Sequence, residues 1–362
     1  MKTTQQYLIH DARDNFPEWQ EKIQLVVTSP PYPMIAMWDE LFSEMSPKIG
    51  QALEKCEGDL AFEAMNSELD KVWAVMEGLL CDGGFLCINI GDATRKIGPD
   101  FQLFSNHARM ITACKNLGFQ QLPSIIWWKP TNAPNKFMGS GMLPAGAYVT
   151  LEHEYILIFR KKGKREFCLS ADKSLRQESA IFWEERNQWF CDSWRISGGR
   201  QDLLNPETRK RSAAFPLELA QRLINMYSLK EDWILDPFGG TGTTLLAAAA
   251  LGRNAICWDI DKAFQKVFSE NFRSNYRWMS DFNIGRIEAH RSFVSEQKSL
   301  GKEIKHHNTF YDMPVKTLQE KNIQLAHPEK YSIIEEGCFE VEYKSGINEI
   351  SYYESEYLDF DS

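Results

Sequence analysis

Two stretches of this 362-residue chain combine residue types and spacings that suit chemistry. One is Ile234-Leu-Asp-Pro-Phe-Gly-Gly-Thr-Gly-Thr-Thr244, where an apolar run ends in Asp236-Pro237-Phe238 and then in Gly239, Gly240, Thr241 and Gly242. It reads as strand, tight turn and helix. Glycines there let the backbone approach a ligand, and the amides that open the following helix face it with the positive end of the helix dipole. A nucleotide-like cofactor or a carboxylate is the natural occupant. A further predicted strand, Ala255 to Trp258, ends at Asp259, at the distance where such folds hold ribose hydroxyls. The other stretch is Thr28-Ser29-Pro30-Pro31-Tyr32, which closes the apolar run Leu25-Val-Val27. As the end of a strand in an open parallel sheet, it stands where such sheets place their ligands.

Taken together, Asp-Pro-Phe-Gly-Gly-Thr-Gly and Ser-Pro-Pro-Tyr resemble the motifs of the S-adenosylmethionine-dependent DNA amino-methyltransferases of restriction-modification systems. The order, with Ser-Pro-Pro-Tyr ahead of the glycine motif, is similar to that of their beta group, and the resemblance runs from about residue 7 to 275. It implies a circularly permuted, Rossmann-like methyltransferase fold, a mostly parallel doubly wound α/β sheet with a smaller target-recognition region. It also implies S-adenosylmethionine as methyl donor, S-adenosylhomocysteine as product, and double-stranded DNA as partner. A cognate restriction endonuclease and a homodimer are further partners to look for. Asp11, Asp236 to Gly242, Asp259 and Ile260 would then hold the cofactor, Asp11 and Ile260 against the adenine.

In that reading the Ser29 hydroxyl and the Pro30 carbonyl accept hydrogen bonds from an exocyclic base amine, and Pro31 stiffens the turn. Tyr32 stacks on the base, which must be flipped out of the duplex. Ser29 in place of the Asp or Asn of most adenine-specific relatives points to cytosine N4 over adenine N6. No Pro-Cys pair supplies the nucleophile that carbon-5 methylation needs. A DNA- or partner-binding protein with a vestigial cofactor site, and a protein or RNA amine as substrate, are the rival readings.

The remaining elements are those that must position these residues. Tyr7 to Asp11 reads as a short strand ending in an acid that could equally be a turn residue. Pro33 to Met76 reads as helices beside the site, Leu69 to Leu80 as one helix, and Asp82-Gly-Gly as the opening of the strand Phe85 to Ile90. Asp92 follows as a pocket residue or a helix cap. A helix over Phe104 to Leu117 precedes the strand Ser124 to Trp128, and Lys129, at its end, matches the family pattern as a DNA contact. Thr131 to Ala147 reads as a functional loop. Glu152 to Phe159 reads as a strand whose His153-Glu pair resembles the family segment bordering the target pocket; His153 could equally be a plain strand-start residue.

Four sections follow from this: 1–162 as the catalytic half, 163–211 as a target-recognition insert, 212–275 as the cofactor half and 276–362 as an extension with an acidic end. The insert contains Trp183, Trp189 and Trp194, which fit either base contacts or a small core. Its cluster Arg209-Lys210-Arg211 is a phosphate-binding edge or a solvated loop. Pro216 is expected in the first turn of a helix with Leu219, Leu223 and Tyr227 on one face. Leu245 to Leu251 reads as an apolar helix capped by Gly252.

Composition bounds the rest. With 43% hydrophobic and 25% charged residues, the chain can bury one large core. No apolar run approaches a membrane span and the first residues lack a signal-peptide core, so a cytoplasmic protein without membrane contact is expected. Eight scattered cysteines with no Cys-x-x-Cys pair predict neither disulfides nor a metal site. The net charge of −9 falls almost wholly on the end: from Tyr331 to Ser362 nine acids face one lysine, leaving the first 330 residues near neutral. That end is expected to be a separate partner surface outside the catalytic sheet.

Overall fold

Leu25-Val-Val27, apolar without alternation, is the pattern of a strand covered on both faces, and the computed structural model places it near the centre of a large sheet. The structure describes residues 1–16, 19–129, 145, 146, 148–197, 215–276 and 279–344. The chain begins with strands β1 (Lys2–Ile9) and β2 (Ile23–Thr28), then helices α1 (Asp39–Met45), α2 (Pro47–Glu54) and α3 (Gly58–Leu79). Strand β3 (Leu80–Ile90), the hairpin β4 (Ala93–Ile97) and β5 (Asp100–Phe104), and helix α4 (Asn106–Asn116) follow. Strands β6 (Phe119–Gln121), β7 (Ile125–Trp128) and β8 (His153–Lys161) lead to α5 (Ser170–Glu178), α6 (Trp183–Trp189) and β9 (Ser193–Arg195). Next come α7 (Leu217–Tyr227), β10 (Trp233–Asp236), α8 (Thr243–Leu251), β11 (Asn254–Asp259), α9 (Lys262–Asn275) and α10 (Asp281–Ser299). The described chain closes with β12 (His306–Asn308), β13 (Met313–Val315), β14 (Pro328–Glu335) and β15 (Cys338–Tyr343).

The sheet runs β14-β15-β1-β11-β10-β2-β3-β8-β7-β9, with β6 on β8. Its centre, β1, β11, β10, β2 and β3, is parallel, and β15 and β8 flank it antiparallel. A mostly parallel, doubly wound α/β sheet is thus what the chain forms. The motif order is realised in space: β2 lies directly beside β10, so that the Thr28 hydroxyl reaches Asp236, 208 residues on. Leu25 and Val27 face a core layer built with α7, α8 and α9, while Val26 faces the layer of α1 to α4. Among the described residues, no helix is long and apolar enough to cross a membrane.

Several expectations change in detail. β1 starts at Lys2 and stops at Ile9, so Asp11 follows the strand instead of ending it. Its inward positions Thr3 and Gln5 are polar, which hid the alternation; both are buried, with the Gln5 amide donating to Thr3 and to the Arg253 carbonyl. β3 starts at Leu80, two residues before the expected opening at Asp82, and at Gly83 its φ is +81° and the pairing with β2 shifts register. Pro216 caps α7 from outside, its ψ of 144° being extended. The acidic end corrects most. Cys338–Tyr343 is strand β15, paired along β1 with Phe339 and Val341 fully buried, and so belongs to the catalytic sheet. Residues 345–362 lie outside the described residues, as do Arg209, Lys210, Arg211 and most of the Thr131 to Ala147 stretch.

Candidate active site

At the carboxyl ends of β10 and β11 the glycine turn takes its shape from its neighbours. The Gly239 amide donates to the Trp258 carbonyl at 2.7 Å, and a Cβ on Gly239 would stand 2.7 Å from the Cys257 sulfur. Gly242, at φ +81°, would push a Cβ to 2.3 Å from the Phe268 ring. Both glycines are therefore demanded by packing. Gly240 differs: its φ is +48°, yet the nearest atom to a Cβ there is 4.0 Å away, so the space beside it is open. The Gly240 amide donates to the Asp259 carboxylate at 3.0 Å, and Asp259 also accepts from the Asp261 amide at 2.9 Å.

Asp236 is buried beneath the turn. Its two oxygens accept from the hydroxyls of Thr28 at 2.7 Å and Thr244 at 2.6 Å, and from the Phe238 amide at 3.1 Å. Burial pushes its carboxyl up to about 6 against these donors. Burial likewise pushes the Asp259 carboxyl above its ordinary value. Asp11 goes the other way, because Arg13 holds it as a carboxylate through contacts of 2.6 to 3.2 Å, and Arg13 in turn reaches Glu68 on α3 at 2.7 Å.

One cleft of about 530 Å³ brings these groups together, within the roughly 300 to 1,000 Å³ of ordinary ligand sites. Asp11, Ser29, Pro30, Pro31, Asp236 to Thr241, Asp259 and the half-exposed Ile260 all line it. Gly242 does not, and neither does Tyr32. The Tyr32 hydroxyl instead sits behind Ser29 in a polar cluster: it accepts from the Ser29 hydroxyl at 3.2 Å and from the Asn89 amide at 2.8 Å, and donates to Glu154 at 2.8 Å. Burial, then the Glu154 charge, raises the Tyr32 phenol well above its ordinary value.

Lys129 pairs with Glu154 at 2.6 Å and lies over the Trp127 ring, and His153, opposite Trp128 across the β7–β8 pairing, packs edge-on against Tyr155. Asp92 serves as a cap, accepting from the His107 amide and ring at the start of α4. Trp189 and Trp194 are buried, the Trp194 indole donating to the Trp189 carbonyl, so these two form core; Trp183 is exposed. Sequence reading missed Asn89, Glu154, Thr28, Thr244 and Arg13. Glu154 follows His153 directly and Arg13 lies two residues after Asp11, so proximity was the available signal. Asn89 lies inside an apolar strand, and its buried amide was the clue.

Residues 23–270 match the family model described as DNA methylase, of the N6/N4 type. The chain is a member of this DNA methylase family. It is 47% identical over 346 residues to the Type II methyltransferase M.MthZI of Methanothermobacter thermautotrophicus, covering 95% of this chain and 96% of the relative. It is 43% identical over 294 residues to M.MjaI of Methanocaldococcus jannaschii, covering 78% and 96%. A putative DNA modification methylase of Thermus thermophilus, solved with S-adenosyl-L-methionine, superposes with a TM-score of 0.57 at 32% identity, covering 74% of this chain and 93% of that one.

The methylase is an enzyme that uses S-adenosylmethionine, and its cleft fits that molecule. The space beside Gly240 admits an extended ligand close to backbone, Asp259 stands at the cleft wall with the Asp236 charge buried just beneath the turn, and Ile260 offers an apolar face. Among its described residues Glu184, His290 and Glu320 converge within 4.8 Å. Both His290 nitrogens are already engaged, by Glu184 at 2.7 Å and the Pro314 carbonyl at 2.9 Å, so in the methylase the cluster is a seam joining α6 to α10.

Proposed function

We propose that this methylase transfers a methyl group to the exocyclic N4 amine of a cytosine flipped out of a specific site in duplex DNA, as the modification enzyme of a Type II system. The observation that carries the reading is the position of Ser29 and Pro30 on the wall of the cleft that also holds Asp236, Gly240 and Asp259. One cavity wall can thereby serve both the amine to be methylated and its donor.

S-adenosylmethionine, when bound, supplies an electrophilic sulfonium methyl. The protein's part is positioning. The amine lone pair is delocalised into the ring, and acceptors on both amine hydrogens, the Ser29 hydroxyl and the Pro30 carbonyl, turn it toward the donor. Tyr32 holds the flipped base by its ring. Asp259 takes the ribose hydroxyls, Asp11 and Ile260 border the adenine, and Lys129, His153 and the 209–211 cluster meet DNA. The division into catalytic half, recognition insert 163–211 and cofactor half is part of the same proposal.

Mass spectrometry of nucleosides from DNA methylated by the enzyme tests it. N4-methylcytosine is expected; N6-methyladenine alone would overturn the base assignment and leave the family intact. Tyr32→Ala should weaken activity on paired DNA, with partial recovery when the target is mismatched, since unpairing then costs less.

A further inference from the structure

The polar cluster behind Ser29 has a direction. Glu154, as a carboxylate, only accepts, and the Asn89 Nδ2 group only donates. Glu154 accepts from Lys129 on one oxygen at 2.6 Å and from both Asn89 at 2.7 Å and the Tyr32 hydroxyl at 2.8 Å on the other. The single Tyr32 phenolic hydrogen is thereby committed to Glu154. Both lone-pair sides of the Tyr32 oxygen are then filled by donors, Asn89 at 2.8 Å and Ser29 at 3.2 Å. Ser29 has one hydroxyl hydrogen, and it is spent on Tyr32. What remains on the Ser29 oxygen, at the cleft wall, is lone pairs. The arrangement is buried where it matters, with Asn89 3% exposed and the Glu154 side chain 13% exposed, so water does not compete freely for these hydrogens.

We infer that Glu154 is a positioning residue for methyl transfer: acting through Tyr32, with Asn89 beside it, it fixes the direction of the Ser29 hydroxyl and makes Ser29 an obligate acceptor for the target amine. Without it a hydroxyl is ambiguous, since it donates as readily as it accepts, and a Ser29 hydrogen aimed at the base would oppose the amine hydrogen. A carboxylate two hydrogen bonds away removes that ambiguity and adds no charge next to the sulfonium. Because Glu154 is acceptor-only, the polarity propagates outward and cannot reverse while Glu154 is ionised.

This rests on the role proposed above for Ser29, and the experiment separates the two. Turnover at saturating S-adenosylmethionine is measured on unmethylated bacterial genomic DNA, which contains every short site, for Ser29→Ala, Tyr32→Phe, Glu154→Leu and the double variant Tyr32→Phe/Glu154→Leu. Calorimetric titration with S-adenosylmethionine and thermal melts check each variant; Glu154→Ala replaces Glu154→Leu should the latter melt early. In Glu154→Leu the Tyr32 hydrogen loses its acceptor and is released toward Ser29, so the Ser29 hydroxyl is no longer held with its hydrogen on Tyr32 and can donate toward the base. Its kcat is expected to fall on the order of tenfold or more, the scale of a lost hydrogen bond to a charged group. In Tyr32→Phe the Ser29 hydroxyl is free to rotate, and the loss should be smaller. The diagnostic result is rescue: the double variant turns over faster than Glu154→Leu, with cofactor affinity equal throughout. If the double variant is as slow as Glu154→Leu or slower, Glu154 acts by another route, such as its pair with Lys129, and the inference fails. If Ser29→Ala keeps parental kcat, it is the underlying role of Ser29 that fails.

Discussion

The Tyr7 hydroxyl donates a hydrogen bond to the Gly240 carbonyl at 2.8 Å, tying the first strand of the sheet to the glycine turn. The Tyr7 ring is stacked on Phe268, the same ring that forbids a side chain at Gly242. Tyr7→Phe keeps the stack and strips the Gly240 carbonyl of its donor. The expected loss is about 1 kcal/mol of turn stability, or roughly fivefold in S-adenosylmethionine affinity. Calorimetric titration of both forms would show it, and equal affinities would mean that the turn holds its shape without Tyr7.

Gly240 and Gly242 should fail in opposite ways. Ala at 242 meets Phe268 at 2.3 Å in a left-handed backbone, so Gly242→Ala is expected to lower the melting temperature by an amount equivalent to about 1 to 3 kcal/mol. Ala at 240 meets nothing of the protein within 4.0 Å, so the main folding cost is the positive φ, on the order of 1 kcal/mol. Its methyl group projects into space the cofactor needs. Gly240→Ala should therefore show a near-parental melt with weakened cofactor binding, and strong binding in this variant would remove the cradle from the site.

Binding of S-adenosylmethionine should depend on pH through Asp236. Burial raises its folded pKa to about 6 from an ordinary 3.8. Its carboxyl is thus neutral below that range and an anion above it, and a sulfonium cation favours the anion. Affinity is expected to climb as pH rises through about 6 and to level off by neutrality. The apo fold shows the reverse sign: the group's contribution to stability is fully present below 3.8 and is lost as pH rises through about 6. A flat affinity between pH 5 and about 7 would mean that Asp236 does not sense the ligand charge.

Two truncations separate the two parts of the acidic end. Removing 345–362 takes away none of the described strands, and folding with cofactor binding should survive. Removing 338–362 deletes β15, exposes the edge of β1 from Lys2 to Gln6 and strips away buried Val341 and Phe339, the latter packed on Phe268 and Phe272. Loss of soluble, cofactor-binding protein is expected for the second truncation only. A soluble second truncation that still binds cofactor would show β15 to be dispensable.

What could be read in advance follows physical lines. The strands ending at Thr28, Asp236 and Asp259 were legible because each is buried on both faces and therefore a continuous apolar run, closed by proline, glycine or acid. The cleft was legible for the same reason, since ligands gather where such strands end. β1 was read short because Thr3 and Gln5 point inward as polar residues, and β15 was read as a charged surface because Glu340 and Glu342 point outward and pair with Lys2. Net charge reports the outer face of a strand and says nothing of the inner one. The Tyr32, Asn89 and Glu154 residues were not legible as one cluster, because Asn89 stands on β3, Glu154 on β8 and Tyr32 in the segment after β2, and the register of β3 on β8, which sets Asn89 opposite Ile156, is what brings them together.

The place of β1 in the sheet has a consequence for how the molecule is made. Its partners on either side are β11 and β15, with Gln5 opposite Ala255 and Phe339, so β1 waits for segments synthesised much later before its hydrogen bonds are filled. Contacts of such sequence separation form slowly. The half carrying Ser29 to Tyr32 is synthesised long before the glycine turn that completes the cleft. Ribosome-stalled chains ending ahead of Trp233 should not retain labelled S-adenosylmethionine, so the growing chain has no methylating activity to spend on nearby DNA until the glycine turn has been made.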